Sequence, residues 1–171
     1  MTDELGVEPI AATAGLDVAH RWLGNTVWPL LGQDELARLH RSPLGRTEEE
    51  WRAALIPALT DLYRRAYPYA EAYETASSAA SGFAVKHGYS EAEAKAYGES
   101  YAAMNTDANQ RVHAEANARA VASLAAKAFT AGDVDAYAQT RPGAMVRACI
   151  AVAGPEARDR LATGLRDALS P

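Results

Sequence analysis

The residues whose types and spacing point to chemistry form one row. Tyr97, Tyr101, Asn105, Asn109, His113 and Asn117 follow one another at four-residue intervals. On a helix, residues four apart stack along one face. Asparagine is a poor occupant of a helix interior, costing about 0.6 kcal/mol against alanine, because its amide competes for backbone hydrogen bonds. Three asparagines and a histidine in register, in a chain where alanine is abundant, therefore imply directed hydrogen bonding. The bonds run either to a ligand or across to a facing helix, unless the row is a half-exposed flank. The tyrosines add an apolar ring and a hydroxyl suited to an aromatic or amphipathic small molecule. They recur as the i,i+4 pairs Tyr63/Tyr67, Tyr69/Tyr73 and Tyr97/Tyr101. The plain alternative is that they fill gaps that alanine leaves between helices.

Other chemistries find less support. No glutamate has a histidine three residues later, the pattern of carboxylate-bridged metal bundles, so neither a metal nor another cofactor is expected. His20 and His40 sit alone among Leu and Arg, and His87 and Glu91 straddle a turn. Cys149 lies in the run Ala148-Cys149-Ile150-Ala151-Val152, which predicts a buried, inert thiol. Ser77, Ser78, Ser81 and Gly82, interleaved with Ala76, Ala79 and Ala80, form a small-residue surface suited to close helix approach, and no strand precedes them to make a nucleophile elbow. Glu71, Glu74 and Glu99 would act as acid–base groups only if buried.

The chain of 171 residues carries a net charge of −5, the wrong sign for a nucleic-acid partner, which needs a basic face. Its 49% hydrophobic content is nearly half alanine, so the core is expected to be thin and its helices close together. A single cysteine excludes an internal disulfide and fits a reducing compartment. No signal peptide and no membrane span is read, and the expectation is a soluble cytoplasmic protein.

The elements that position these residues are helices. Met1 to Gly15 reads as a loose arm, and residues 16–171 as a single helical domain. Leu16 to Leu31 starts as a helix that Gly24 and Pro29 interrupt, and Asp34 to Arg41 forms another. Thr47 and Glu50 have capping-box spacing, as do Ser90 and Glu93. The apolar face Trp51, Leu55, Leu59, Leu62 follows the first box, with Pro57 and Pro68 expected to kink or divide the helix. From Ser90 the helical pattern runs to about Ala131, with Gly98 and Asn105-Thr106-Asp107 as weak points. Its buried seam reads as Ala108, Val112, Ala116, Ala120 and Leu124, beside a charged row Asp107, Arg111, Glu115, Arg119. Thr47 to Ala131 thus makes a long antiparallel hairpin turning at Gly88-Tyr89. Asp133 caps a short helix, Ala144 to Val152 is an apolar one, and Pro155 opens the last.

Arg21-Trp22-Leu23-Gly24-Asn25-Thr26, followed by Thr47-Glu48-Glu49-Glu50-Trp51, resembles the opening of the thiostrepton-induced, antibiotic-recognising helical domains. Leu23 is an insertion relative to that pattern, and the spacing between the two segments is longer here. The resemblance implies a helical small-molecule receptor.

The fold class expected is all-α, an irregular helical bundle built around a long antiparallel hairpin. The leading functional expectation is binding of a hydrophobic or aromatic small molecule in a pocket lined by Tyr69, Tyr73, Tyr97, Tyr101, Asn105, Asn109 and His113. One alternative is a cofactor-independent enzyme using His113 as acid or base. Another is a structural module that pairs with a copy of itself through Ala76, Ala79, Ala80 and Gly82.

Overall fold

A computed structural model describes residues Gly15–Ser170, and 83% of them are helical with no strand. The arm expected over Met1–Gly15 lies outside the described residues except for Gly15. The all-α architecture around a helical hairpin is what the chain adopts. Its helices are α1 (Leu16–Trp22), α2 (Trp28–Leu30), α3 (Asp34–Arg41), α4 (Glu48–Arg65) and α5 (Tyr69–Lys86), followed by α6 (Glu91–Ala131), α7 (Val134–Ala138), α8 (Pro142–Ala153) and α9 (Ala157–Leu169). A π-helical turn, Leu23–Val27, joins α1 to α2. Contacts divide the chain into two compact units, one running to Ala66 and resuming at Glu115, the other being Tyr67–Ala114.

Both capping boxes form. The Thr47 backbone N–H donates to Glu50 at 2.7 Å while the Glu50 N–H donates to the Thr47 hydroxyl at 3.2 Å. Ser90 and Glu93 exchange the same bonds at 3.0 and 3.4 Å. These bonds hold both carboxyls below their usual range.

Several local expectations are corrected. The α-helix is interrupted at Gly24, as expected, but by a π turn rather than a break, and Pro29 falls in the first turn of the short helix that follows. Pro57 sits inside the unbroken α4 on its exposed side, while Leu55, Ala58, Leu59 and Leu62 bury the other. Only Pro68 divides the region, as the residue before α5. Pro155 precedes α9, whose first residue is Ala157. Gly98 is no weak point but a buried contact in an unbroken α6.

The seam of α6 is displaced as well. Ala108, Val112, Ala116 and Ala120 are exposed and Leu124 is half-buried, whereas Ala94, Gly98, Ala102, Thr106, Ala114, Ala118, Ala122 and Ala126 are buried. With alanine on every face, apolar periodicity carries no contrast, and the lone Val112 marks the wrong side.

Within Tyr67–Ala114 the two antiparallel helices approach closely where Gly98 faces Ser77 and Ser81. A Cβ on Gly98 would stand 2.7 Å from the Ser77 carbonyl oxygen and collide with the Ser81 hydroxyl. On the same helix Ala80 and Ala84 are buried, whereas Ala79 and Gly82 are exposed. The other unit holds the large core residues. Trp22, Trp28 and Trp51 are each 1% exposed and pack with Leu23, Leu59, Leu161 and Val146. The Trp22 indole N–H donates to the Leu161 carbonyl at 3.0 Å, tying α1 to α9.

Candidate functional site

The expected row is real as a row, and solvent reaches most of it. Tyr97 and Tyr101 are about two-fifths exposed and stack at 6.3 Å, Asn109 and His113 are exposed, and Asn105 and Asn117 are half-buried. The Asn109 amide donates to the Asn105 carbonyl oxygen at 2.5 Å. The His113 ring lies 5.7 Å from that of Tyr67. Tyr69 and Tyr73 stack on each other at 6.3 Å and turn their hydroxyls to α6. Tyr69 donates to Asp107 at 2.7 Å, which raises the phenol pKa, and Tyr73 donates to the Glu99 carbonyl at 3.4 Å.

Two of these residues share a concavity. Tyr101 and Asn105 form one wall of an open groove of about 550 Å³, faced by Pro68, Glu71, Ala72, Thr75, Ala76 and Ala79 of α5 and its approach. The volume falls within the range of small-molecule sites, about 300–1,000 Å³. Half of its lining residues are alanine or proline, and its polar groups are the Tyr101 and Thr75 hydroxyls, the Asn105 amide and the Glu71 carboxylate. Tyr69, Tyr73, Tyr97, Asn109 and His113 are not among its lining residues.

A second arrangement, in the other unit, escaped the sequence reading. His20 and His40, which looked solitary, are paired: their Nδ1 atoms stand 2.8 Å apart, one ring donating to the lone pair of the other. Gly24 lets the π turn and α3 approach closely. A Cβ there would stand 3.0 Å from the Ala37 carbonyl oxygen and 3.1 Å from the His40 Cβ, so a larger residue would push α3 back from the π turn by a few tenths of an ångström. Arg41 fastens the contact by donating to the Gly24 carbonyl at 3.1 Å.

Aromatic rings surround the pair. Trp51 lies 5.6 Å from His20 and 4.9 Å from His40, Phe129 lies 4.6 and 5.2 Å from the same two rings, and Trp28 lies 6.2 Å from His40. Burial in this apolar shell lowers the His20 pKa to about 4, against a small raising effect of Asp17. His40 is driven well below 6.5, first by burial and then by its neighbour His20. Trp28 and Phe129 also line a small cavity of about 20 Å³ together with Leu23, Leu55, Leu59, Tyr137 and their neighbours.

The concentration of all three tryptophans between residues 22 and 51, with a histidine on either side of Trp28, was the available signal. Periodicity could not show that His20 and His40 meet, because the turn between them is π-helical. Cys149, as expected, is fully buried, and its thiol is pushed up to about 12 by desolvation. Among the described residues no group of three or more His, Cys, Asp or Glu could hold a metal ion, and no helix is long and apolar enough to cross a membrane. A third concavity, of about 610 Å³ between α3 and α4, is rimmed by Glu35, Arg46 and Glu50 over Leu36, Leu39 and Pro57. Comparison with protein-family models, curated proteins and solved structures finds no match to the chain.

Proposed function

We propose that this chain is a small-molecule-binding protein whose site is the groove of the Tyr67–Ala114 hairpin. The observation that carries the reading is the meeting of Tyr101 and Asn105 in a ligand-sized groove lined also by alanine and proline. An aromatic ligand lies against the Tyr101 ring, the Asn105 amide orients its polar group, and Glu71 favours a ligand that bears a positive charge. Asn109, bonded to Asn105, holds that amide in place. Tyr97, stacked on Tyr101, fixes its ring. His113 stands two turns beyond Asn105, so a role for it as acid or base requires a ligand longer than the groove.

The test is a fluorescence or calorimetric screen of aromatic amines against the wild-type chain, followed by Tyr101→Ala, Asn105→Ala and His113→Ala. Tyr101→Ala and Asn105→Ala are expected to weaken binding by about 10- to 100-fold, the equivalent of about 1.4–2.8 kcal/mol. Stability should change by less than about 0.5 kcal/mol for these exposed or half-buried positions. Binding that survives both substitutions would remove the groove from consideration.

A second reading rests on a separate observation. Phe83, Val85, Tyr89, Tyr97, Tyr101, Met104 and Val112 are all exposed large hydrophobics of this one hairpin. A concentration of that kind marks an interaction surface, and a second copy of the chain would cover it. Sedimentation should then show a concentration-dependent dimer that Met104→Glu dissociates, whereas a monomer at every concentration rejects self-association.

A further inference from the structure

The groove of about 610 Å³ between α3 and α4 contains a residue that its own helix disfavours. Pro57 stands inside the unbroken α4, where proline is the least favourable of all residues, because it lacks an N–H and crowds the preceding turn. The helical partner of the Ala53 carbonyl would be the N–H of residue 57, so that carbonyl receives no such bond. Ala53 and Pro57 are both exposed and both line the groove, and the carbonyl stands between them on the helix surface. The groove is thus bordered by a backbone acceptor that the helix leaves free.

The charged groups around it are unequally engaged. One carboxylate oxygen of Glu50 accepts from the Thr47 backbone N–H and hydroxyl, at 2.7 and 3.1 Å, and the other faces Arg46 at 3.9 Å. Those two charges offset each other. Glu35, contributed by α3, is exposed and forms no ion pair or hydrogen bond among the described residues. Leu36 and Ala58 are buried along the groove, Leu39 and Ala54 are half-buried, and no aromatic ring lines it.

We infer that this groove binds a primary alkylammonium. Its two uncompensated groups, the Glu35 carboxylate and the Ala53 carbonyl, only accept, and an ammonium offers three donors and no acceptor. Gln33, on the approach to α3, supplies a further amide oxygen. An aliphatic lining without rings suits an alkyl chain rather than an aromatic one. An anion would be repelled by Glu35, and a neutral alcohol would leave that charge unmatched. The groove lies in a different unit from the hairpin groove, and its ligand lacks the ring that Tyr101 would engage, so the two sites stand or fall separately.

A nuclear magnetic resonance titration of the isotope-labelled chain with n-pentylammonium tests it, with pentan-1-ol and pentanoate as the neutral and anionic counterparts. At pH 7 the amine is protonated, as a lysine side chain is. The expected result is a saturable shift of the Leu36 and Leu39 methyl signals and of the Gln33 side-chain amide, with a millimolar dissociation constant that neither counterpart matches. Glu35→Gln should weaken binding about three- to five-fold, the scale of an exposed charge pair. Pro57→Ala separates ligand binding from structure, because it returns an N–H to the Ala53 carbonyl. It should raise Tm, since proline leaves the helix interior, and yet weaken pentylammonium binding by about ten-fold, the loss of one charge-assisted hydrogen bond. Unchanged binding in a more stable Pro57→Ala protein would overturn the proposal. So would pentan-1-ol or pentanoate binding as well as pentylammonium, or shifts confined to Tyr101 and Asn105 of the hairpin groove.

Discussion

Lowering the pH from 7 towards 4 should melt the tryptophan-containing unit, and the loss should begin well above the range in which carboxylates titrate. The cause is the His20–His40 pair. In the folded chain burial holds the His20 pKa at about 4 and His40 well below 6.5, while both return to about 6.5 when the chain unfolds. The unfolded state therefore binds more protons between pH 6.5 and 4, so stability must rise with pH in that window. The contribution is complete above pH 6.5 and is lost as the pH falls through the folded-state value. After allowance for solvent screening of the partly exposed His20, the pair contributes on the order of 1–3 kcal/mol across the interval. That is a measurable share of the roughly 5–15 kcal/mol typical of a domain. The groups facing the pair are the rings of Trp28, Trp51 and Phe129, none of which titrates, and Asp17, whose charge acts the other way on His20. The capping glutamates, Glu50 and Glu93, are held below their usual range, so they release stability only at lower pH. Tryptophan fluorescence during urea unfolding at half-unit pH steps measures the effect. His20→Gln, which keeps a polar end for His40 but does not titrate, should flatten the curve between pH 6.5 and 5. A wild-type curve already flat over that range would show that the pair is not the acid-sensitive element.

The contrast between the two units explains what the sequence made legible. Local signals were read correctly: both capping boxes, the Asp133 cap, the Gly88 turn and the buried Cys149 depend on residues within a few positions of one another. What went unread depends on which face meets which. On α6 the side chains at Ala102 and Ala108 are identical, yet one is buried and the other exposed, because packing is decided by where Ser77 and Ser81 admit a glycine rather than by hydrophobicity. Gly98 looked like a defect in a helix for the same reason, since its value lies in a contact with Ser77 and Ser81 on another helix. The Tyr101 and Asn105 part of the groove was visible as an anomaly of residue type. The histidine pair was not, for two neutral imidazoles 20 positions apart carry no mutual signal until a π turn folds them together.

Trp51→Ala should be the most damaging single change in the chain, and it should also alter how the protein answers to acid. Trp51 is 1% exposed and touches His20, His40 and Phe129 at ring separations of 4.9 to 5.6 Å. Replacing a buried tryptophan by alanine costs about 3–5 kcal/mol, through lost transfer energy and the cavity left behind. Here the cavity would open on a polar pair, so water is expected to enter it. Water at the imidazoles relieves the desolvation that depresses them, and both pKa values move back towards 6.5. The pH-dependent part of the stability must then shrink even as the total falls. Two effects of opposite appearance thus follow from one substitution: a lower urea midpoint at about pH 7.5, and a smaller difference between the midpoints at about pH 7.5 and pH 5. Trp51→Phe, which keeps an aromatic lid of smaller volume, should lie between alanine and wild type in both measurements. A simple loss of packing would lower the two midpoints equally and leave their difference unchanged. That outcome would separate Trp51 from the histidines and reduce it to an ordinary core residue.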